Sequence, residues 1–254
     1  MDGENTTQLV RRMDERLQML SDSDIAIVEQ IFNAKQPPTI NISYFPTFEI
    51  RLDELKQRLS LNYWLNDNIV DGYVELLQTY DNERCLRDSS RVPSYILPTS
   101  FYRQLAPKKQ PYNYRSVQFF FSKKHINIME KGKLFIPVNV DENHWVFVVV
   151  FISEKTIRYY DSLYNDTRFN MVVNNIKQYM FDSTLDQTWE IQSDHHRVVL
   201  QQQNSHDCGV FMCMMMDALL DEIPLHHIKQ TDMQFYRKKM CADLVRCRLL
   251  YSLY

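Results

Sequence analysis

The chain has 254 residues, 44% hydrophobic and 24% charged, enough to bury a sizeable core without disulfides or metal staples. Its 29 lysines and arginines against 32 acids leave a formal charge of −3, which argues against bulk nucleic-acid binding. No apolar run approaches the roughly 20 residues of a membrane span, and four scattered glycines supply no phosphate loop or dinucleotide fingerprint. The polar start Met1-Asp2-Gly3-Glu4-Asn5 does not read as a signal peptide. Five cysteines, Cys85, Cys208, Cys213, Cys241 and Cys247, are an odd number without C-x-x-C spacing. They read as reduced thiols of an intracellular protein, and no cofactor or metal site is expected.

In chain order, residues 5–35 predict two helices. Leu9, Val10, Met13 and Leu17 stripe the first, and Ser21-Asp22-Ser23-Asp24 caps a second bearing Ile27, Val28, Ile31 and Phe32. Pro37-Pro38 ends this unit, an integral layer or a movable arm, and leads into an extended stretch near 40–48. A helix is expected from Asn66 to Tyr80, with Asn66 or Asp67 as its cap. Short β-rich runs follow at Leu134–Ile136, Trp145–Ile152 and Ile157–Tyr160, the middle one apolar throughout, as in a strand covered on both faces. A helix at 170–181, a strand at Val198–Leu200 and a buried helix from Gly209 to Leu220 come next. The last helix, Met233 to Leu250, directs Met240 and Leu244 inward and Arg237, Lys238, Lys239 and Arg246 outward. The class is α+β: a small central mixed β-sheet flanked by helices, with an N-terminal helical segment over 1–46 and a main domain over 47–254.

Cys208 is the first candidate for chemistry. It follows a polar loop and opens the buried helix, where unpaired N–H groups and the positive dipole end favour a thiolate. The competing reading is an ordinary core cysteine, which fits the other four better. A thiolate needs a base, and the base needs an orienter. His144 immediately precedes the buried strand, and Asp161 ends the next one. A hairpin folded about Glu154 pairs residue 161 opposite 147. His144 and Asp161 then share one sheet edge, offset by about three residues or roughly 10 Å. Alone, His144 would be a turn histidine and Asp161 a cap. Gln202 and Gln203 precede Cys208 closely enough to offer an amide donor for an oxyanion.

Several strings together resemble one family. They are Gln202-x-Asn204-Ser205-x-Asp207-Cys208-Gly209, His144-Trp145 preceded by Phe135-Ile136-Pro137-Val138-Asn139, Tyr159-Tyr160-Asp161-Ser162, Trp64-Leu65-Asn66-Asp67 and Phe235-Tyr236-Arg237-Lys238-Lys239-Met240. Taken in chain order, over about 47–250, they resemble the ubiquitin-like-protein proteases, the SUMO/sentrin-specific cysteine peptidases of clan CE. The resemblance implies a papain-like arrangement with a His144–Asp161–Cys208 triad and Gln202 as oxyanion donor. It also implies that Trp64 and Trp145 clamp a diglycine tail and that Asp67 meets a basic residue of the modifier; the rival role for the tryptophans is core packing. Ser205 stands where many SUMO-directed members have glycine, and Gln-Gln-Asn-Ser resembles the deneddylating branch. The terminal segments resemble the SUMO-directed one.

The implied function is a monomeric thiol isopeptidase and C-terminal hydrolase, in the nucleus or cytoplasm, with SUMO and its conjugates as partners, no nucleic acid and no cofactor. The alternatives are a deneddylase or deubiquitinase of the same fold, a clan CE-type acetyltransferase, and a non-catalytic modifier-binding module.

Overall fold

Caps and apolar spacing set the helix boundaries. In the computed structural model, which describes residues 20–35, 40–192 and 201–253, the Ser21 side chain accepts from the Asp24 N–H and starts α1 (Asp22–Asn33). The stripe from Leu9 to Leu17 and the strand expected at Val198–Leu200 lie outside the described residues. These residues belong to two compact units, Met1–Tyr80 with Gln203–Tyr254, and Asp81–Gln202.

In the first unit the extended stretch becomes an antiparallel hairpin, β1 (Asn41–Tyr44) and β2 (Glu49–Arg51), with a bulge between Asn41 and Ser43. Next comes α2 (Leu52–Leu59), which buries Leu55 and Leu59. Its cap position, Arg51, makes no side-chain capping bond, so no start signal announced it. Helix α3 (Asp67–Arg87) begins where Asn66 Oδ1 accepts from the Ile69 N–H, and runs seven residues past its expected end. Gly72 is placed for close approach: a Cβ there would lie 2.7 Å from Ile50 Cδ1 and 3.0 Å from Leu244 Cδ2.

The second unit holds a mixed five-stranded sheet in the order β3 (Tyr95–Ile96), β4 (Lys133–Val140), β5 (His144–Phe151), β6 (Thr156–Tyr160), β7 (Glu190–Gln192). The β3–β4 and β6–β7 pairs are parallel and the two between them antiparallel. A short helix, α4 (Ser100–Leu105), precedes a long connection to β4. All eight residues of β5 are buried, as its unbroken apolar run predicts. One face packs Val138, Val146, Val148, Ile157 and Tyr159 with Phe169, Val172, Ile176 and Tyr179 of α5 (Asp166–Thr184). Asn165 caps α5 by accepting from the Arg168 N–H.

The β5–β6 register differs by one residue from the expected one. Phe147 pairs with Tyr160, not with residue 161, because the turn takes four residues, Ile152 to Lys155, with Lys155 in the left-handed region. A one-residue slip moves side chains to the opposite face. Continued one step, the observed register sets Asp161 opposite Val146, whose face His144 shares. The expected register would have put them on opposite faces.

Back in the first unit, α6 (Cys208–Leu220) is buried nearly all round, and α7 (Met233–Arg246) packs beside it. Two residues assigned to the solvent face of α7 are buried: Arg237 and Lys239. Lys239 pairs with Asp243 one turn on, and Arg237 meets Asp207.

Trp189, which reads as part of a polar stretch, belongs to the second unit's core and donates from Nε1 to Thr184 Oγ1 at 3.3 Å. Trp189→Ala should therefore cost about 3–5 kcal/mol of stability, measured by urea unfolding. An unchanged midpoint would remove Trp189 from the core.

Candidate active site

The β5–β6 edge positions an acid–base pair. His144 opens β5, and its Nε2 lies 2.7 Å from Asp161 Oδ1. The nitrogen facing the carboxylate carries the proton, which leaves Nδ1 as the basic nitrogen of the neutral ring. Asp161 is 0% exposed, so its oxygens need protein donors. They have them: Tyr159 Oη donates to Oδ2 at 2.9 Å, the Leu163 N–H to Oδ1 at 2.7 Å, and the Arg168 guanidinium lies 3.5 Å away. Burial, with the Asp161 charge beside it, pushes the Tyr159 hydroxyl far above its ordinary value, so it remains a donor.

Gln202 is fixed in the same unit. Its N–H donates to the Ser162 carbonyl at 2.7 Å, and the Ser162 hydroxyl donates to its Oε1 at 2.7 Å. With the amide oxygen engaged, the amide nitrogen is the end that can serve an oxyanion. Ser162, Tyr159 and Arg168 are the supporting residues that sequence reading missed. Ser162 and Tyr159 stood in the quoted Tyr-Tyr-Asp-Ser string, next to Asp161, and that adjacency was the available signal.

Cys208 is the first residue of α6 and 1% exposed. The preceding loop is held by Asp207, whose carboxylate does not cap the helix. Instead it accepts from Arg237 Nε at 3.0 Å and from a terminal guanidinium nitrogen at 2.7 Å, with Asn204 and Gln230 donating to the other oxygen. Burial opposes the charge, but these bonds outweigh it and hold the Asp207 carboxyl below its usual range. The remaining Arg237 hydrogens reach the carbonyls of Arg58, Ser60, Tyr63 and His206. One guanidinium thus ties the Cys208 loop to the segment leading into Trp64. Trp64 is 44% exposed and donates from Nε1 to the Ser205 carbonyl at 2.6 Å.

Of the remaining candidates, Asp67 is the first residue of α3, and Trp145 is buried in β5 on the face away from His144. Within each unit the structure brings residues together: His144 with Asp161 in one, Trp64 with the Cys208 loop in the other. The nucleophile candidate and the acid–base pair belong to different units. Burial and nearby carboxylates push the Cys213 thiol far up and Cys241 to about 12, which makes both poor nucleophiles. Among the described residues no three His, Cys, Asp or Glu side chains could together hold a metal ion. No described helix is long and apolar enough to cross a membrane.

Residues 63–249 match the model of the Ulp1 protease family, C-terminal catalytic domain. The chain belongs to the Ulp1 protease family. This family's peptidase fold is the α+β arrangement expected from the five motifs. A sentrin-specific protease of Caenorhabditis elegans is 29% identical over 92% of the chain, and sentrin-specific protease 5 of Mus musculus 30% over 74%. The chain spans only 32% and 23% of those two relatives. The C-terminal Ulp1 protease domain solved in complex with Smt3, the yeast ortholog of SUMO, shares the fold. Its TM-score is 0.73 at 21% identity, over 91% of this chain and 97% of that one.

Breaking the Arg237 tie should be costly, because removing one partner strands a buried carboxylate. Arg237→Met is expected to lose about 3–5 kcal/mol, and Arg237→Lys less, since an ammonium keeps the charge without the fork. Denaturant midpoints of both variants check this; two wild-type values would refute it.

Proposed function

We propose that this Ulp1-family chain is a thiol isopeptidase and C-terminal hydrolase that cleaves after the diglycine of SUMO, both in its precursor and in lysine conjugates. The observation that carries the reading is the buried His144–Asp161 pair. A histidine fixed in one tautomer by a desolvated carboxylate is the base that a cysteine peptidase requires. The named relatives are sentrin-specific proteases, and the Ulp1 domain of the same fold was solved with a SUMO ortholog. The catalytic domain in this reading is 47–254, acting as a monomer in the nucleus or cytoplasm.

His144 Nδ1 takes the Cys208 proton while Asp161 holds Nε2. The Cys208 sulfur attacks the last glycine carbonyl, and the oxyanion is held by the Cys208 N–H and Gln202 Nε2. Protonated His144 then gives its proton to the departing lysine amine. Water, deprotonated by His144, attacks the thioester and frees the modifier's carboxylate. Exposed Trp64 covers the tail, Trp145 braces the strand behind His144, and Asp67 takes a basic residue of the modifier. The pattern Gln-Gln-Asn-Ser at 202–205 favours a second reading, deneddylation.

Modifiers ending in a thiol-reactive electrophile decide between these readings. SUMO should label wild-type protein and Cys213→Ser, and not Cys208→Ser. Labelling only by ubiquitin or by the deneddylase substrate would change the modifier, and equal loss in both variants would displace the nucleophile.

Gln202→Ala should lower the acylation rate by roughly 10²–10³ with little change in substrate affinity. Single-turnover kinetics separate the two quantities, and a loss confined to affinity would remove Gln202 from the oxyanion site.

A further inference from the structure

Charge is unevenly distributed in this chain. From Arg103 to Lys133 there are eight lysines and arginines and a single acid, Glu130, although the whole carries −3. Part of this basic segment lies against the turn that leads into His144. Lys108 Nζ donates to Glu142 Oε2 at 2.9 Å and to the Asp141 carbonyl at 3.2 Å. Lys108, and more weakly Arg103 and Lys109, hold the Glu142 carboxyl below its usual range. Three cations therefore gather around one exposed carboxylate. That carboxylate sits on a turn where Asp141 and Glu142 both adopt left-handed backbone (φ 53° and 63°), a conformation usually left to glycine or asparagine.

We propose that Arg103, Lys108 and Lys109 form a docking surface for acidic side chains flanking the modified lysine of the leaving protein. The proposal rests on the peptidase reading above. In that mechanism His144 protonates the departing amine, so the polypeptide carrying that lysine must pass beside His144. Glu142 lies two residues away, about 7 Å along an extended chain, which is within reach of residues next to the lysine. The modifier's tail is on the acyl side of the scissile bond and does not meet this requirement. Glu142 already shows that the cluster accepts a carboxylate, and its single charge leaves two cations in excess. An acidic segment supplies the missing counter-charge. Ion pairs at such exposed positions are individually weak, so the surface acts as a selectivity filter and not as an anchor.

The test compares three substrates of one modifier, joined to the lysine of an acidic peptide, to that of a basic peptide, and to an aminocoumarin with no flanking chain. Wild-type protein should cleave the acidic conjugate with kcat/KM about tenfold above the basic one at low salt, and the ratio should fall as salt rises. Combining Arg103→Glu, Lys108→Glu and Lys109→Glu should invert the ratio and leave aminocoumarin release unchanged, which also reports correct folding. Glu142→Gln, which removes the internal competitor, should widen the wild-type preference. Equal rates on both peptides with normal aminocoumarin release would overturn the docking surface alone. Failure to release aminocoumarin would overturn the peptidase reading and this inference with it. If an oligonucleotide instead suppressed both peptide reactions equally, and the triple variant escaped it, the surface would belong to a nucleic acid and the proposal would fall.

Discussion

The Arg237–Asp207 pair is the interaction on which the loop before Cys208 depends. Both side chains are almost wholly withdrawn from water, 1% and 6% exposed. A buried ion pair of this kind contributes little net stability, because the desolvation of two charges roughly cancels their attraction. Its effect is geometric. Asp207 occupies the position from which an aspartate ordinarily caps a helix, and Arg237, Asn204 and Gln230 hold its carboxylate elsewhere. The first turn of α6 thereby keeps backbone donors that the Asp207 side chain does not take. The same guanidinium donates to four carbonyls, that of Arg58 in the last turn of α2 and those of Ser60, Tyr63 and His206 in the loops that follow α2 and precede α6.

The acid–base half depends on register. Residues on a strand alternate faces, so whether His144 and Asp161 meet is a question of parity before it is one of distance. The four-residue turn after β5 sets that parity, and Lys155 in the left-handed region closes it. Asp161 then requires a full set of donors to be buried at all, and Tyr159, Leu163 and Arg168 surround it. Those partners also fix the carboxylate's direction, which in turn fixes the imidazole ring.

Sequence made legible whatever rests on periodicity or on a cap. The unbroken apolar run predicts β5, the stripe Val172, Ile176, Tyr179, Met180 predicts α5, and Asn66 predicts the start of α3. Features defined by distant partners stayed hidden. Arg237 and Lys239 read as the solvent face of α7 because a charge on an amphipathic helix normally belongs there. Nothing local shows that Arg58, Ser60 and Tyr63 supply carbonyls to Arg237 from about 175 positions away. The hairpin register failed for a related reason. A turn one residue longer leaves the hydrophobic pattern of β5 unchanged, since every position of that strand is apolar, so the pattern could not report the slip. Trp189 was obscured by its polar neighbours in sequence, which say nothing about what packs over an indole.

The two halves are each braced by bonds within their own unit, and this has a consequence for how their energies combine. Ser162 orients Gln202, Asp161 orients His144, and Arg237 orients the Cys208 loop, each through bonds inside its own unit. Stability costs at sites that share no partners add. In the proposed reaction rates behave otherwise, because nucleophile, base and oxyanion donor would act on a single transition state. Once the nucleophile is lost, removing the base costs little more. Bracing of this kind serves precision more than stability: each candidate group is held by its own short chain of hydrogen bonds. A reaction that needs several groups within a fraction of an ångström of their working positions gains most from that arrangement.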